Sequence, residues 1–71
     1  MDKYYTLLIK HEINNRWSPE FGDEDREFVQ YELEDNWLNN GVKKKDTKII
    51  CTDMSQKAID TYIEKLNKRN K

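Results

Sequence analysis

The chain has 71 residues, of which 35% are hydrophobic and 38% are charged, and its formal net charge is −1. A chain of this length has no room for a second domain, so residues 1–71 are expected to form a single domain. It buries only about 60% of its unfolded surface, which makes a deep catalytic cleft hard to build, and no stretch approaches the roughly 20 apolar residues of a transmembrane helix.

The start of the chain and its cysteine content both indicate a cytoplasmic protein. Met1-Asp2-Lys3-Tyr4 leads directly into a strand-like pattern, without the basic and then apolar segments of a signal peptide. Cys51 is the only cysteine, so an internal disulfide is excluded and a reducing compartment is expected.

Residues 3–13 predict the principal strand, because apolar side chains alternate along it. The face with more apolar residues is the better core candidate, and it carries Tyr5, Leu7, Ile9, His11 and Ile13. On this pattern His11 is a partly buried structural residue. Asn14-Asn15 then predicts a hairpin turn, since asparagine tolerates a positive φ.

Arg16-Trp17-Ser18 predicts a short second strand that stops at Pro19. Because proline lacks the N–H that a ladder needs, this strand is expected at an edge of the sheet. We expect structural roles for five residues here and in the next helix: Trp17, Pro19, Phe21, Gly22 and Trp37. An interface role for the aromatic residues among them remains the alternative.

The first helix is predicted from a cap at Asp23 or Asp25 to about Asn40, with Gly41 ending it. It has two apolar stripes on nearly opposite sides. One consists of Val29, Leu33 and Trp37, and the other of Phe28, Tyr31 and Leu38. A single contact with a sheet needs only one of them.

A basic loop over residues 42–46 leads to a third strand, Thr47 to Thr52, in which Cys51 is expected to be a small core residue. The last helix is predicted from about Met54 to Asn67, with either an Asp53–Gln56 capping box or Ser55 as its cap. The elements together predict an α+β domain of order strand-strand-helix-strand-helix. Its sheet is expected to be antiparallel with strand 1 central, and both helices are expected on one face.

Nothing in the sequence indicates catalysis, a cofactor or a metal, and we expect the protein not to be an enzyme. His11 has no second histidine or cysteine near it, and Cys51 has no electropositive surroundings in the sequence. The acidic run Asp23-Glu24-Asp25 lacks the spacing of a calcium loop and is typical of a helix N-terminus.

The segment from Arg16 to Glu27, RWSPEFGDEDRE, resembles a segment of small uncharacterised proteins of phages and prophages. In those proteins too a strand precedes this segment, and a strand like Lys-Asp-Thr-Lys-Ile-Ile and a final helix follow it. The resemblance implies a phage-type accessory protein, and it supplies no activity or binding residues. Proteins of this class often act by binding and obstructing a host protein in defence or transcription.

The charges are segregated along the chain: residues 1–19 carry +1, residues 20–42 carry −7 and residues 43–71 carry +5. The leading hypothesis is therefore a module that binds a basic surface of a host protein through helix 1. The candidate contact residues are Glu24, Glu27, Phe28, Tyr31, Glu32, Glu34, Asp35 and Leu38.

Two alternatives remain open. The second stripe of helix 1 could instead join two copies in a homodimer. A nucleic acid could bind the basic segment that contains Lys43, Lys44, Lys45 and Lys48, together with the basic end of the last helix, but the acidic helix 1 would oppose it. No membrane partner is expected.

Overall fold

The computed structural model describes residues 3–69. Its elements are β1 (Lys3–Lys10), β2 (Trp17–Asp23), α1 (Arg26–Asn39), a short 3-10 helix (Lys44–Asp46), β3 (Thr47–Asp53) and α2 (Gln56–Arg69). The strands form one antiparallel sheet in the order β2-β1-β3. The predicted α+β class, the element order and the central position of strand 1 are confirmed.

The prediction that both helices lie on one face of the sheet is wrong. Leu7 and Leu8 are neighbours in β1 and therefore point to opposite faces. Leu7 packs with Val29 and Leu33 of α1, whereas Leu8 packs with a cluster from α2. That second cluster contains Ile59, Ile63 and Leu66. The sheet therefore lies between two helices, and β1 is buried on both faces, with Leu7 and Leu8 each 0% exposed.

β2 runs on through Pro19 to Asp23, so the prediction that Pro19 ends the strand is wrong, although β2 is an edge strand as expected. The register with β1 shifts between Leu7, which pairs with Phe21, and Leu8, which pairs with Pro19. Glu20 is the extra residue of this bulge. The bulge changes which face each side chain meets. As a result Trp17 is buried on the α2 face, and Phe21 packs on the α1 face.

Gly22 allows the Tyr4 side chain to approach the backbone of β2 closely, and it does not turn the chain. It lies inside β2, and a Cβ placed there would be 2.6 Å from the hydroxyl oxygen of Tyr4. The Tyr4 ring therefore covers the glycine across the sheet, an arrangement that strand glycines permit. Among the described residues, the positive φ angles belong to Asn15 in the hairpin turn, at 61°, and to Gly41, at 68°.

The strand predicted over 3–13 ends earlier, at Lys10. The hairpin closes at His11, whose N–H donates to Arg16 O at 2.9 Å while its carbonyl accepts from Asn15 N–H. His11 and Ile13 are therefore exposed, and the expectation that they belong to the core face is wrong. The turn at Asn14-Asn15 is where the sequence predicts it.

α1 is capped as expected at both ends. The Asp25 side chain accepts from Glu27 N–H at 2.9 Å, and Asp23 in turn accepts from Asp25 N–H at 2.8 Å. Gly41 follows the C-cap Asn40 in the left-handed conformation.

β3 places Cys51 on the surface, which corrects the expectation of a core cysteine. Ile50 is the β3 residue that α2 covers, so its neighbour Cys51 points to the other face, at an edge that α1 leaves open. Ser55 caps α2 by accepting from Ala58 N–H at 3.2 Å, and the predicted Asp53–Gln56 capping box does not form. No helix within residues 3–69 is both long and apolar enough to cross a membrane.

Candidate functional site

The solvent side of α1 carries three large apolar side chains. Phe28 is 56% exposed, Tyr31 is 67% exposed and Leu38 is 83% exposed. Tyr31 and Leu38 are seven residues apart, which aligns them along the helix, and Phe28 lies one turn before Tyr31. These three residues and the carboxylates beside them are called the outer face of α1 below.

Carboxylates surround Tyr31 on this face. Glu27, Glu34 and Asp35 lie three or four residues from Tyr31 and are all exposed. Glu24 precedes the helix, and Glu32 is half-buried at its margin. The structure thus groups Glu27, Phe28, Tyr31, Glu34, Asp35 and Leu38 on one surface, with Glu24 and Glu32 at the edges of it.

Two of these carboxylates, Glu34 and Asp35, gain nothing from the dipole of the helix. The last turn of α1 has no basic residue, and Glu34 and Asp35 lie in the half of the helix whose dipole disfavours negative charge. Within residues 3–69 the ion pair found joins Lys43 to Glu12, at 3.8 Å, and leaves the acidic side chains of α1 without a cationic partner. Glu27 lies in the first turn, where the helix dipole favours its charge, but no cationic side chain among the described ones balances the charge of Glu34 and Asp35.

The opposite side of α1 holds the helix in place. Val29 and Leu33 are buried against Leu7, and Trp37 packs beside them, which confirms the predicted inner stripe. Trp37 also donates from Nε1 to Thr47 Oγ1 at 2.9 Å. The buried Asn36 donates from Nδ2 to Glu32 O at 2.8 Å, and its backbone carbonyl accepts from the N–H of Val42. The inner side therefore anchors α1 without help from the outer face.

The basic segment after α1 does not form one surface. Lys43 pairs with Glu12, and the Nζ of Lys44 lies 5.0 Å from the centre of the Trp37 ring, on the α1 side. Lys48 pairs with Leu8 in the sheet and so faces α2, where its Nζ is 5.4 Å from the Trp17 ring. Lys45 is exposed between them. The four lysines proposed for nucleic acid are thus divided between two faces.

Sequence reasoning missed the association of Lys10 with Lys48. Both Nζ atoms approach the ring of Trp17, at 5.7 Å for Lys10 and 5.4 Å for Lys48. The signal for it is strand pairing. The hairpin turn sets the register that places Lys10 opposite Trp17, and the distant pairing of β1 with β3 places Lys48 opposite Leu8, on the same face of the sheet. The indole is buried, so this cluster offers no free ring face for stacking.

The remaining chemical groups are dispersed. His11 Nε2 is 2.7 Å from Ser18 Oγ, and both lie at the hairpin end of the sheet. Cys51 is exposed in β3, and that strand contains no histidine that could act on its thiol. In the part of the chain that the structure describes, no three His, Cys, Asp or Glu side chains are grouped as metal ligands would be.

Comparison of the chain with protein-family models, with curated proteins and with solved structures finds no match in any of the three.

Proposed function

We propose that this protein is a non-enzymatic binding module of phage type that docks on a basic surface of a host protein in the host cytoplasm. The single observation that carries the proposal is the outer face of α1, where three exposed apolar side chains lie among carboxylates that have no cationic partner among the described side chains.

The apolar side chains supply the affinity in this proposal. Isolated exposed apolar residues are ordinary, but Phe28, Tyr31 and Leu38 share one helix face. Tyrosine is enriched among the residues that dominate binding energy when they are desolvated at the centre of an interface. An amphipathic partner groove or a flat apolar patch would cover this stripe.

The carboxylates supply the direction of approach. Opposite charges on two proteins accelerate their encounter and disfavour wrong partners, and these effects weaken as salt increases. Because the acidic side chains of α1 have no cationic partner in residues 3–69, they remain available to a basic surface. We propose a host protein as the partner because residues 16–27 resemble a segment of phage proteins.

The test is affinity capture from a host lysate with four baits. The wild type, Tyr31→Ala and Glu34→Lys are compared with Glu64→Lys, which makes the same charge change at an exposed position of α2. We expect one protein to be recovered by the wild type and by Glu64→Lys, and its recovery to fall at least about tenfold with Tyr31→Ala or Glu34→Lys, corresponding to about 1.4 kcal/mol.

Salt gives a second readout of the same interaction. The proposal expects recovery by the wild type to fall as the ionic strength rises. Capture that is equal for all four baits, or a captured protein lost equally with Glu64→Lys and Glu34→Lys, would rule out the outer face of α1 as the binding surface.

A further inference from the structure

Two lysine side chains approach the same buried ring at the hairpin end of the sheet. The Nζ atoms of Lys10 and Lys48 lie 5.7 and 5.4 Å from the centre of the Trp17 ring, so both ammonium groups belong to one small area of the surface. An aromatic ring attracts a cation but leaves it charged. No ion pair found among the described side chains includes either lysine. The two positive charges are therefore held close together without a carboxylate between them.

The last turns of α2 bring further lysines to this end of the sheet. Asn67 Oδ1 accepts from Trp17 N–H at 2.7 Å, which fixes this part of the helix beside β2. Lys65 and Lys68, on either side of Asn67 in sequence, are exposed and line one groove together with Tyr62. The carboxyl end of a helix carries about half a negative charge, which offsets only part of this positive charge. Lys10, Lys48, Lys65 and Lys68 are called the basic patch below.

The sheet separates the basic patch from the acidic helix. α1 packs against Leu7 on one face of the sheet. Lys10 and Lys48 lie on the other face, with Leu8. A helix with its side chains is about 10–12 Å across, so the outer face of α1 is farther from the patch than the screening length of about 8 Å at physiological salt. The acidic charge of α1, which in the sequence opposes a nucleic acid, is therefore largely screened from the patch.

We propose that the basic patch and Tyr62 bind single-stranded nucleic acid, with the lysines on phosphates and the tyrosine ring on a base. A phosphodiester chain repeats the negative charge that the patch lacks, and its binding releases condensed counterions. Tyr62 is 41% exposed and shares its groove with Lys65 and Lys68. Lysines beside an exposed aromatic ring are the combination that single-strand sites use, because every unpaired base has a face that can stack.

The proposal is independent of the function proposed above, because it uses the opposite face of the sheet and leaves the outer face of α1 uncovered. It also differs from the site that the basic loop suggests. Lys43 pairs with Glu12 and Lys44 lies over Trp37, so of the loop and strand lysines considered there only Lys48 belongs to the patch.

Fluorescence anisotropy of a labelled oligothymidylate of about 12 nucleotides measures the binding. We expect the wild type to bind at 50 mM salt. Because three or four phosphate contacts are expected, the dissociation constant should rise about 20- to 50-fold between 50 and 200 mM salt.

Lysine variants locate the phosphate contacts. Lys10→Gln, Lys48→Gln and Lys65→Gln should each reduce the slope of log affinity against log salt by about 0.7. Lys3→Gln is the matched control, since Lys3 is exposed at the other end of β1. Lys45→Gln makes the same change in the basic loop and should also leave the slope unchanged. Circular dichroism checks that the variants are folded, and Lys65, which is exposed on α2, gives a variant that leaves the core untouched.

Tyrosine variants test the stacking separately from the charge. Tyr62→Ala should weaken binding at least about fivefold and leave the salt slope unchanged, because it removes a ring and no charge. Tyr62→Phe keeps the ring and should bind like the wild type. A duplex of the same length should bind more weakly than the single strand, because its paired bases offer no free face to the ring.

Three results would overturn the proposal: no binding at 50 mM salt, a salt slope that Lys45→Gln reduces and Lys10→Gln does not, or a duplex that binds as tightly as the single strand. Polyglutamate that displaces the probe as well as unlabelled oligothymidylate would also overturn it, since the patch would then accept any polyanion. Tyr31→Ala should leave the affinity for the oligonucleotide unchanged, which separates this test from that of the outer face of α1.

Discussion

The side-chain amide of Asn67 pairs with the backbone of Trp17 across 50 residues of sequence. Asn67 Oδ1 accepts from Trp17 N–H at 2.7 Å, and Asn67 Nδ2 donates to Trp17 O at 3.3 Å. The pair fastens the end of α2 to the start of β2, where the Trp17 side chain is buried. It satisfies backbone groups that have no partner strand on that side of the sheet, because β2 is an edge.

Replacing Asn67 by alanine should therefore destabilise the protein. The part-buried Trp17 N–H loses its acceptor, which costs about 1–3 kcal/mol. Urea unfolding followed by circular dichroism measures the loss, and Asn39→Ala, at an exposed position of α1, is the matched control. Asn67→Asp keeps the acceptor and should lose less than Asn67→Ala. If Asn67→Ala and the wild type have equal free energies of unfolding, the hydrogen bonds between Asn67 and Trp17 do not stabilise the fold.

Thr6 offers a gain in stability. Its side chain is 3% exposed in the centre of the sheet beneath α2, and its Oγ1 has no hydrogen-bond partner. Thr6→Val removes this buried hydroxyl at similar volume and should raise the free energy of unfolding by about 1 kcal/mol. Thr52→Val is the control, since the Thr52 hydroxyl donates to Asp53 O at 2.8 Å. A loss of stability in Thr6→Val would contradict the structural account of this site.

Gly22 and Tyr4 should be coupled. The Cβ of Gly22→Ala would come within 2.6–2.9 Å of three atoms of the Tyr4 side chain, its hydroxyl oxygen and two ring carbons, so the ring has to move. We expect a cost of about 1–3 kcal/mol in the wild type and a smaller cost in a Tyr4→Ala background. A double-mutant cycle of unfolding free energies measures the difference. Additive effects of the two substitutions would mean that the ring does not lie over the glycine.

The outer face of α1 should be dispensable for folding. Because Phe28, Tyr31 and Leu38 are exposed, replacing each by alanine should change the free energy of unfolding by no more than about 0.5 kcal/mol. Leu33→Ala, on the buried side of the same helix, should cost about 2–5 kcal/mol. If the triple variant loses as much as Leu33→Ala, the stripe contributes to the core and not to binding.

The sequence predicts what depends on local pattern. The turn at Asn15, the cap at Asp25, the end of α1 at Gly41 and the inner stripe of α1 all follow from residues within one or two turns of each other. The exposure of Phe28, Tyr31 and Leu38 follows from the same periodicity, since a helix with two apolar sides buries one of them against a sheet.

What the sequence does not predict depends on contacts between distant segments. The face of the sheet that each helix covers is decided by packing of β1 against α1 and α2, and both faces of β1 are apolar enough for either. The bulge at Glu20 reverses the alternation inside β2, so Trp17 and Phe21 separate although their spacing suggests one face. Cys51 is exposed because it lies in the edge strand β3, on the part of the sheet that α1 does not cover.

The central claim is that the outer face of α1 binds a protein partner. The most direct measurement adds the captured protein to the isotope-labelled chain and follows its backbone amide resonances. The account predicts that the largest changes lie at outer-face positions of α1, around Tyr31 and Leu38, and that the amides of α2 stay in place. Changes centred on α2 or on Trp17, with α1 unaffected, would contradict it.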